Sequence, residues 1–146
     1  MAGERASKIK SDATLAMLQK VFSERTKGRQ NFRLAYAYAV KRKLLSAKIT
    51  NFVLAFKPEK REMILIQIDA DGNPVADRIQ LDEMDITHAE KTARGGYLID
   101  SKQLKKPTEL FVLASMPDSA EITYQMPVNQ EQQAAEFAAM MEEICR

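Results

Sequence analysis

The hydrophobic pattern begins with a helical stripe near the start of the chain. Ser11 is a capping residue, and it predicts a helix over residues 11–28 that ends at Lys27-Gly28, a basic residue followed by glycine. The apolar residues of this helix recur at i, i+3 and i+7 and are Leu15, Leu18 and Phe22. Residues 1–10 are polar and lack such a stripe, so we expect a flexible tail there.

A second helical stripe lies in the last part of the sequence. Asn129 is a capping residue and Gln132 occupies the capping-box position three residues later, which predicts a helix over residues 129–145. Its apolar residues are spaced for one face and are Phe137, Met140, Met141 and Ile144.

Between the two helices the hydrophobic pattern changes to a period of two. Residues 32–40 alternate large side chains with Arg33 and three alanines, which favours a strand, although alanines also suit a helix. Gly72 and Asn73 tolerate positive φ and predict a hairpin turn. Further strands are predicted at residues 50–56, 63–69, 76–81, 86–91, 97–99, 110–114 and 122–126.

The order of elements predicts an α+β fold with an N-terminal helix, about seven antiparallel strands and a C-terminal helix. We expect a single domain over residues 11–146. One face of such a sheet has to be hidden from water, and the stripe of the C-terminal helix is its natural cover.

The pattern over residues 30–146 resembles the bacterial pleckstrin-homology-like domains. The resemblance rests on the segments FVLAF at 52–56, MILI at 63–66, IQLDEMDI at 79–86 and AAEFAAM at 134–140. It implies a bent seven-stranded barrel of two near-orthogonal sheets, with one end plugged by the C-terminal helix. It does not imply one function, because related domains bind lipid headgroups, peptides or copies of themselves.

The composition of the chain and the length of its apolar segments indicate its cellular compartment. The 146 residues are 45% hydrophobic and 29% charged, as in a globular domain. Residues 1–10 lack the apolar segment of a signal peptide, and no apolar run approaches the ~20 residues of a membrane-spanning helix. Cys145 is the single cysteine, so there is no disulfide framework. We expect a cytoplasmic protein without a transmembrane segment.

Charge divides the chain into two halves. Residues 1–61 carry 15 Lys/Arg and 4 Asp/Glu, whereas residues 62–146 carry 7 Lys/Arg and 16 Asp/Glu. We favour the interpretation that the halves fold together and pair their charges across the surface. An anion-binding surface or head-to-tail self-association are the alternatives.

The densest basic run follows the first predicted strand. Its residues are Lys41, Arg42 and Lys43, with Lys48 across the loop. Clustered lysine and arginine attract phosphates. In eukaryotic relatives of the resembled family, basic residues of this loop hold phosphoinositides, so the resemblance implies an anion or lipid site at these four positions. A solvated loop that keeps the domain soluble is the ordinary alternative.

No catalytic set is recognisable in the sequence. His88 is the only histidine, no nucleophile motif accompanies it, and we expect an ordinary surface or half-buried side chain. Cys145 would form a thiol pair with it only if the fold joined them. The segment from Asp69 begins like a calcium loop, but Pro74 and Gln80 stand where glycine and glutamate are required. We therefore predict no enzyme, no cofactor and no metal site.

The main hypothesis from the sequence is a non-enzymatic binding or assembly module whose partner is a protein or another copy of itself. An anionic phospholipid surface is the alternative partner, bound through the basic loop. Nucleic acid is a less favoured partner than either of these. Phe32, Tyr36 and Tyr38 are candidates for stacking on bases, but they alternate like a buried strand face. The acidic second half of the chain would also repel a duplex.

Overall fold

The computed structural model describes residues 4–27, 29, 31–42 and 44–145. Two helices flank the strands in chain order. Short 3-10 helices occupy Pro58–Lys60 and Asp118–Thr123. The other elements are α1 (Lys8–Thr26), β1 (Arg33–Arg42), β2 (Ala47–Lys57), β3 (Glu62–Ile68), β4 (Ile79–Leu81), β5 (Ile86–Lys91), β6 (Tyr97–Ser101), β7 (Thr108–Phe111), β8 (Ser115–Met116), β9 (Val128–Asn129) and α2 (Glu131–Ile144).

Strands β1 to β7 form one antiparallel sheet in the order β4-β3-β2-β1-β7-β6-β5. The sheet curls into a nearly closed barrel. Its two edge strands, β4 and β5, are separated in the chain by residues 82–85 alone. The predicted α+β fold, with seven antiparallel strands and a helix on either side of them in the chain, is confirmed.

The barrel interior is filled by alternate residues of the strands and closed by α2. Ala35 and Ala37 of β1 are fully buried there beside the large side chains of β2 and β3. Phe137 of α2 sets its ring edge-on against Phe56 at 5.5 Å and against Tyr97 at 5.9 Å between centroids. The alanines leave the room that these aromatic rings require.

The outer face of β1 to β3 is buried as well, which corrects the expectation of one hidden face. Leu18, Val21 and Phe22 of α1 pack on this face against a second apolar cluster. Strands that are buried on both faces have continuous runs of apolar residues in their sequence. This explains the unbroken runs at residues 52–56 and 63–66, all of which are buried.

The strand prediction is correct for most segments and wrong for one. For residues 32–40 the sequence left a helix as the alternative to a strand. These residues lie almost entirely in strand β1. Residues 122–126 do not form a strand, because the 3-10 helix Asp118–Thr123 ends there and Tyr124 adopts a left-handed φ of 60°. The two-residue strands β8 and β9 instead pair with each other in a small separate sheet.

Both helices begin at residues other than the predicted ones. Helix α1 starts at Lys8 behind the cap Ser7, and Ala6 is buried, so the predicted tail 1–10 is wrong over residues 6–10. The predicted end at Gly28 lies outside the described residues; the helix ends at Thr26. Asn129 does not cap α2. Its side-chain amide exchanges hydrogen bonds of 2.8 and 2.9 Å with the backbone of Ala6.

Among the residues that the structure describes, no helix is long and apolar enough to cross a membrane.

Candidate anion-binding site

The β1–β2 hairpin places two of the predicted basic residues side by side. Lys41 lies directly opposite Lys48 in the antiparallel register. Opposite residues of such a pair share one face of the sheet, with Cβ atoms about 5 Å apart. Arg42 lies in β1, but its side chain is outside the description, and Lys43 lies outside the described residues.

These lysines continue the inward-facing rows of the barrel. Along β1 the residues Ala37, Ala39 and Lys41 alternate on one face and pass from buried to half-buried to exposed. Arg33, at the other end of β1, binds Glu136 of α2 at 2.9 Å. The lysines therefore lie roughly 25 Å along the strand from the end that α2 covers. We call their end, formed by the hairpin and the connection 102–107, the hairpin end of the barrel.

The connection from β6 to β7 brings a third lysine to the hairpin end. Leu104 is half-buried against the barrel interior and anchors this connection, while Lys106 is exposed. The side chain of Lys106 lies within hydrogen-bonding reach of Lys41, and this contact, together with repulsion between the like charges, lowers the pKa of Lys41. Two cationic groups thus face one another at close range.

A pocket of about 430 Å³ opens beside these ammonium groups. Lys41 and Lys106 contribute its basic groups, Phe52 its apolar floor, and Thr50 and Thr108 its hydroxyls. The volume falls within the range of small-ligand sites. An anion in this position would accept hydrogen bonds from both lysines and relieve their mutual repulsion.

The neighbouring acidic group is engaged elsewhere. Glu109 also lines the pocket, is mostly buried and lies 3.6 Å from the guanidinium of Arg94. In the part of the chain that the structure describes, no carboxylate forms an ion pair with Lys41, Lys48 or Lys106. The hairpin end therefore carries uncompensated positive charge.

The sequence analysis missed Lys106 and the two leucines at the hairpin tip. Lys106 belongs to a basic stretch, KQLKK at 102–106, that stands out in the acidic half of the chain. Leu44 and Leu45 follow the predicted basic run directly, and their side chains are 98% and 96% exposed. An apolar pair inside a basic turn was the available signal, since hairpin turns are usually polar.

His88 and Cys145 are neighbours at a different place on the molecule. They line one shallow pocket of about 200 Å³, and the His88 ring lies at the surface, 3.6 Å from Glu90. Burial, with the charge of Glu90 as a smaller cause, raises the pKa of the Cys145 thiol. A nucleophilic cysteine requires a lowered pKa, so the electrostatics here oppose thiolate formation.

The segment from Asp69 forms the hairpin turn that the sequence predicts. The Asp69 carboxylate accepts the backbone N–H groups of Asp71 and Asn73, each at 2.9 Å, and these bonds, the one from Asn73 foremost, lower the pKa of Asp69. Across the described ranges, no cluster of three or more histidine, cysteine, aspartate or glutamate side chains is placed to hold a metal ion.

Comparison of the chain with protein-family models, with curated protein sequences and with solved structures finds no match. The case for a function therefore rests on the arrangement at the hairpin end.

Proposed function

We propose that the protein is a non-enzymatic binding module of the pleckstrin-homology-like class that attaches to anionic phospholipid surfaces through the hairpin end of its barrel. The observation that carries this proposal is the convergence of Lys41, Lys48 and Lys106, from two separate segments, without a described carboxylate partner. The seven-stranded barrel with its terminal helix supports the choice of class.

The expected attraction is moderate and salt-dependent. A lysine near an anionic membrane contributes roughly fivefold to affinity, so three contribute about a hundredfold. Ammonium groups at the surface are screened within a Debye length of about 10 Å at 0.1 M salt. Relief of the repulsion between Lys41 and Lys106 adds to the preference for the phosphate-bound state.

Self-association through the two charged halves has less support. Ion pairs join the basic half to the acidic half within one chain, in agreement with the interpretation favoured from the sequence. They include Arg33 with Glu136, Arg61 with both Glu83 and Glu143, Arg5 with Glu131, and Lys10 with Glu121. Part of the charge that head-to-tail assembly would use is thus paired within one chain, whereas Lys41, Lys48 and Lys106 have no carboxylate partner among the described residues.

Nucleic-acid binding also has less support. Tyr36 is buried, and burial raises the pKa of its hydroxyl. The ring of Tyr38 stacks on Phe111 at 5.2 Å, and the ring of Phe32 packs on Phe22 at 5.5 Å. The aromatic side chains considered for base stacking are therefore engaged by the protein itself.

Vesicle sedimentation tests the proposal. We expect the protein to pellet at low salt with vesicles that contain phosphatidylserine, and to stay in solution with pure phosphatidylcholine vesicles. The double variant Lys41→Glu/Lys106→Glu should lose about tenfold or more of this affinity, because it reverses the charge of the pocket. Added salt should weaken binding of the wild type.

The matched control is Lys20→Glu/Lys91→Glu, which makes the same change in net charge at exposed positions outside the hairpin end. Circular dichroism verifies that both double variants fold. A wild-type protein that ignores anionic vesicles at low salt contradicts the proposal. So does a control variant that loses as much affinity as the pocket variant, since net charge alone would then explain binding.

A further inference from the structure

The tip of the β1–β2 hairpin exposes two adjacent leucines. Leu44 and Leu45 have 98% and 96% of their surface in solvent, the highest values among the large hydrophobic side chains that the structure describes. The strands behind them are paired as far as Arg42 and Ala47. Side chains so exposed make no packing contact, so they contribute nothing to the stability of the fold.

The leucines and the lysines are arranged in a fixed order along the hairpin. Leu44 lies three residues beyond Lys41 on one strand, and Leu45 lies three residues before Lys48 on the other. Three residues of extended chain span about 10 Å. Residues 44 and 45 are bends, so when the ammonium groups lie at the level of lipid phosphates the tip reaches at most about 10 Å deeper, toward the boundary of the acyl chains.

We propose that Leu44 and Leu45 insert into the acyl region of an anionic bilayer while Lys41, Lys48 and Lys106 hold the phosphates above them. This inference rests on the proposed function and adds a hydrophobic component to it. Lysines flanking the apolar tip favour a bilayer as the occupant, because a bilayer offers anionic groups and hydrocarbon in this order of depth. Two leucines are too small a surface for a stable protein interface, which buries roughly 800 Å² per partner.

Insertion predicts binding that salt weakens but does not abolish. The variant Leu44→Ser/Leu45→Ser keeps every lysine, so its binding at low salt should persist with about a tenfold or greater loss of affinity. At high salt, where the lysines are screened, it should remain in solution while the wild type still pellets in part. The matched control Ile9→Ser/Ile122→Ser removes exposed apolar side chains from α1 and the 3-10 helix, and it should bind like the wild type.

Fluorescence measures insertion directly. The sequence contains no tryptophan, so Leu45→Trp gives a single reporter at the tip. We expect its emission to shift to the blue on phosphatidylserine-containing vesicles and to be quenched by lipids brominated on the acyl chain. The control Met84→Trp places the reporter at another exposed apolar position, 90% in solvent, and its emission should not change.

The outcomes separate the two proposals. If the wild type pellets but the emission of the Leu45→Trp variant neither shifts nor is quenched, insertion is wrong and surface attachment stands. If the wild type does not pellet with anionic vesicles, both are wrong. If light scattering shows an oligomer that Leu44→Ser/Leu45→Ser dissolves, the tip is a contact between copies of the chain and insertion is again wrong.

Discussion

The amide of Gln130 replaces a missing strand partner in the middle of the molecule. The side chain is 1% exposed. Its oxygen accepts the backbone N–H of Tyr36 at 2.8 Å, and its nitrogen donates to the carbonyls of Tyr36 and Leu113 at 2.9 and 3.0 Å. Strand β1 pairs with β7 only at Tyr38 and Ala39, so Gln130 satisfies the backbone of β1 beyond that ladder.

We expect Gln130→Ala to lower the free energy of unfolding by about 3 kcal/mol or more, because one N–H and two carbonyls lose their partner in a buried place and each such loss costs roughly 1–3 kcal/mol. Urea denaturation followed by circular dichroism measures this. The control is Gln132→Ala, an exposed glutamine in the first turn of α2, which should change stability by less than about 0.5 kcal/mol. Equal stability of the two variants would show that the hydrogen bonds of Gln130 have no net effect.

At the scale of single residues, the sequence predicted the chemistry of the site only in part. The run at Lys41 was recognisable because its lysines are adjacent in the chain. Lys106 was not assigned to the site, because its proximity to Lys41 depends on how β7 pairs with β1, which is a long-range contact. Asn129 and Gln130 have similar amides, and only the packing of Ala6 and Tyr36 against them decides which contact each one makes.

Among the elements, the β3–β4 connection is held tightly against α1. Gly72 has a φ of 86°, and a Cβ atom there would lie 2.7 Å from Cγ of Met17. Gly95, in the β5–β6 turn, has a similar φ of 89° but nothing within 4 Å of its would-be Cβ atom. The two glycines therefore share a backbone requirement and differ only in their surroundings.

We expect Gly95→Ala to destabilise the fold by about 1–2 kcal/mol, the cost of a left-handed conformation with a Cβ atom. Gly72→Ala should cost a further 1–3 kcal/mol or so, because the methyl group overpacks the contact with α1. A double-mutant cycle in urea with Met17→Ala separates the two causes: the extra cost should disappear when Met17 is shortened. An equal loss for both glycines, or no coupling to Met17, would contradict this packing.

The elements that the sequence predicted well are those long enough to display a period. Strand β1 was assigned correctly because large side chains occupy every second position of residues 32–40, even though its alanines suit a helix. The segment 122–126 also alternates, but the N–H of Gln125 bonds to the carbonyl of Ala120 and closes a turn instead. Strands β8 and β9 have two residues each and show no period at all.

For the whole molecule, the sequence indicated the barrel and its terminal helix but not the second layer. The continuous apolar runs of β2 and β3 require cover on both faces of the sheet, and this requirement explains the second layer. Helix α1 supplies that cover, and its buried polar residues bind the segment before α2: the hydroxyl of Thr14 donates to the carbonyl of Pro127 at 2.6 Å, and Ser11 accepts the N–H of Asn129 at 2.8 Å. Hydrogen bonds thus join α1, on the outer face of the sheet, to the segment that leads into α2.

The pairing of charges within one chain leads to a prediction about the state of the protein in solution. Because the basic and acidic halves are joined by ion pairs such as Arg33–Glu136 and Arg61–Glu143, we expect a monomer at low and at high salt in size-exclusion chromatography with light scattering. Added salt weakens surface ion pairs of this kind by screening, and it does not lead the same groups to pair between different chains.

The alternative gives a different result in the same measurement. If the halves met between chains, the protein would form an oligomer at low salt and dissociate at high salt, since only exposed pairs between copies would hold it together. An oligomer stable in high salt would point to apolar contacts instead, and Leu44→Ser/Leu45→Ser would then identify whether the hairpin tip makes them. A monomer under both conditions leaves the hairpin end free, with Lys41, Lys48 and Lys106 lacking a described carboxylate partner and the two leucines in water, which is the condition that attachment to a lipid surface requires.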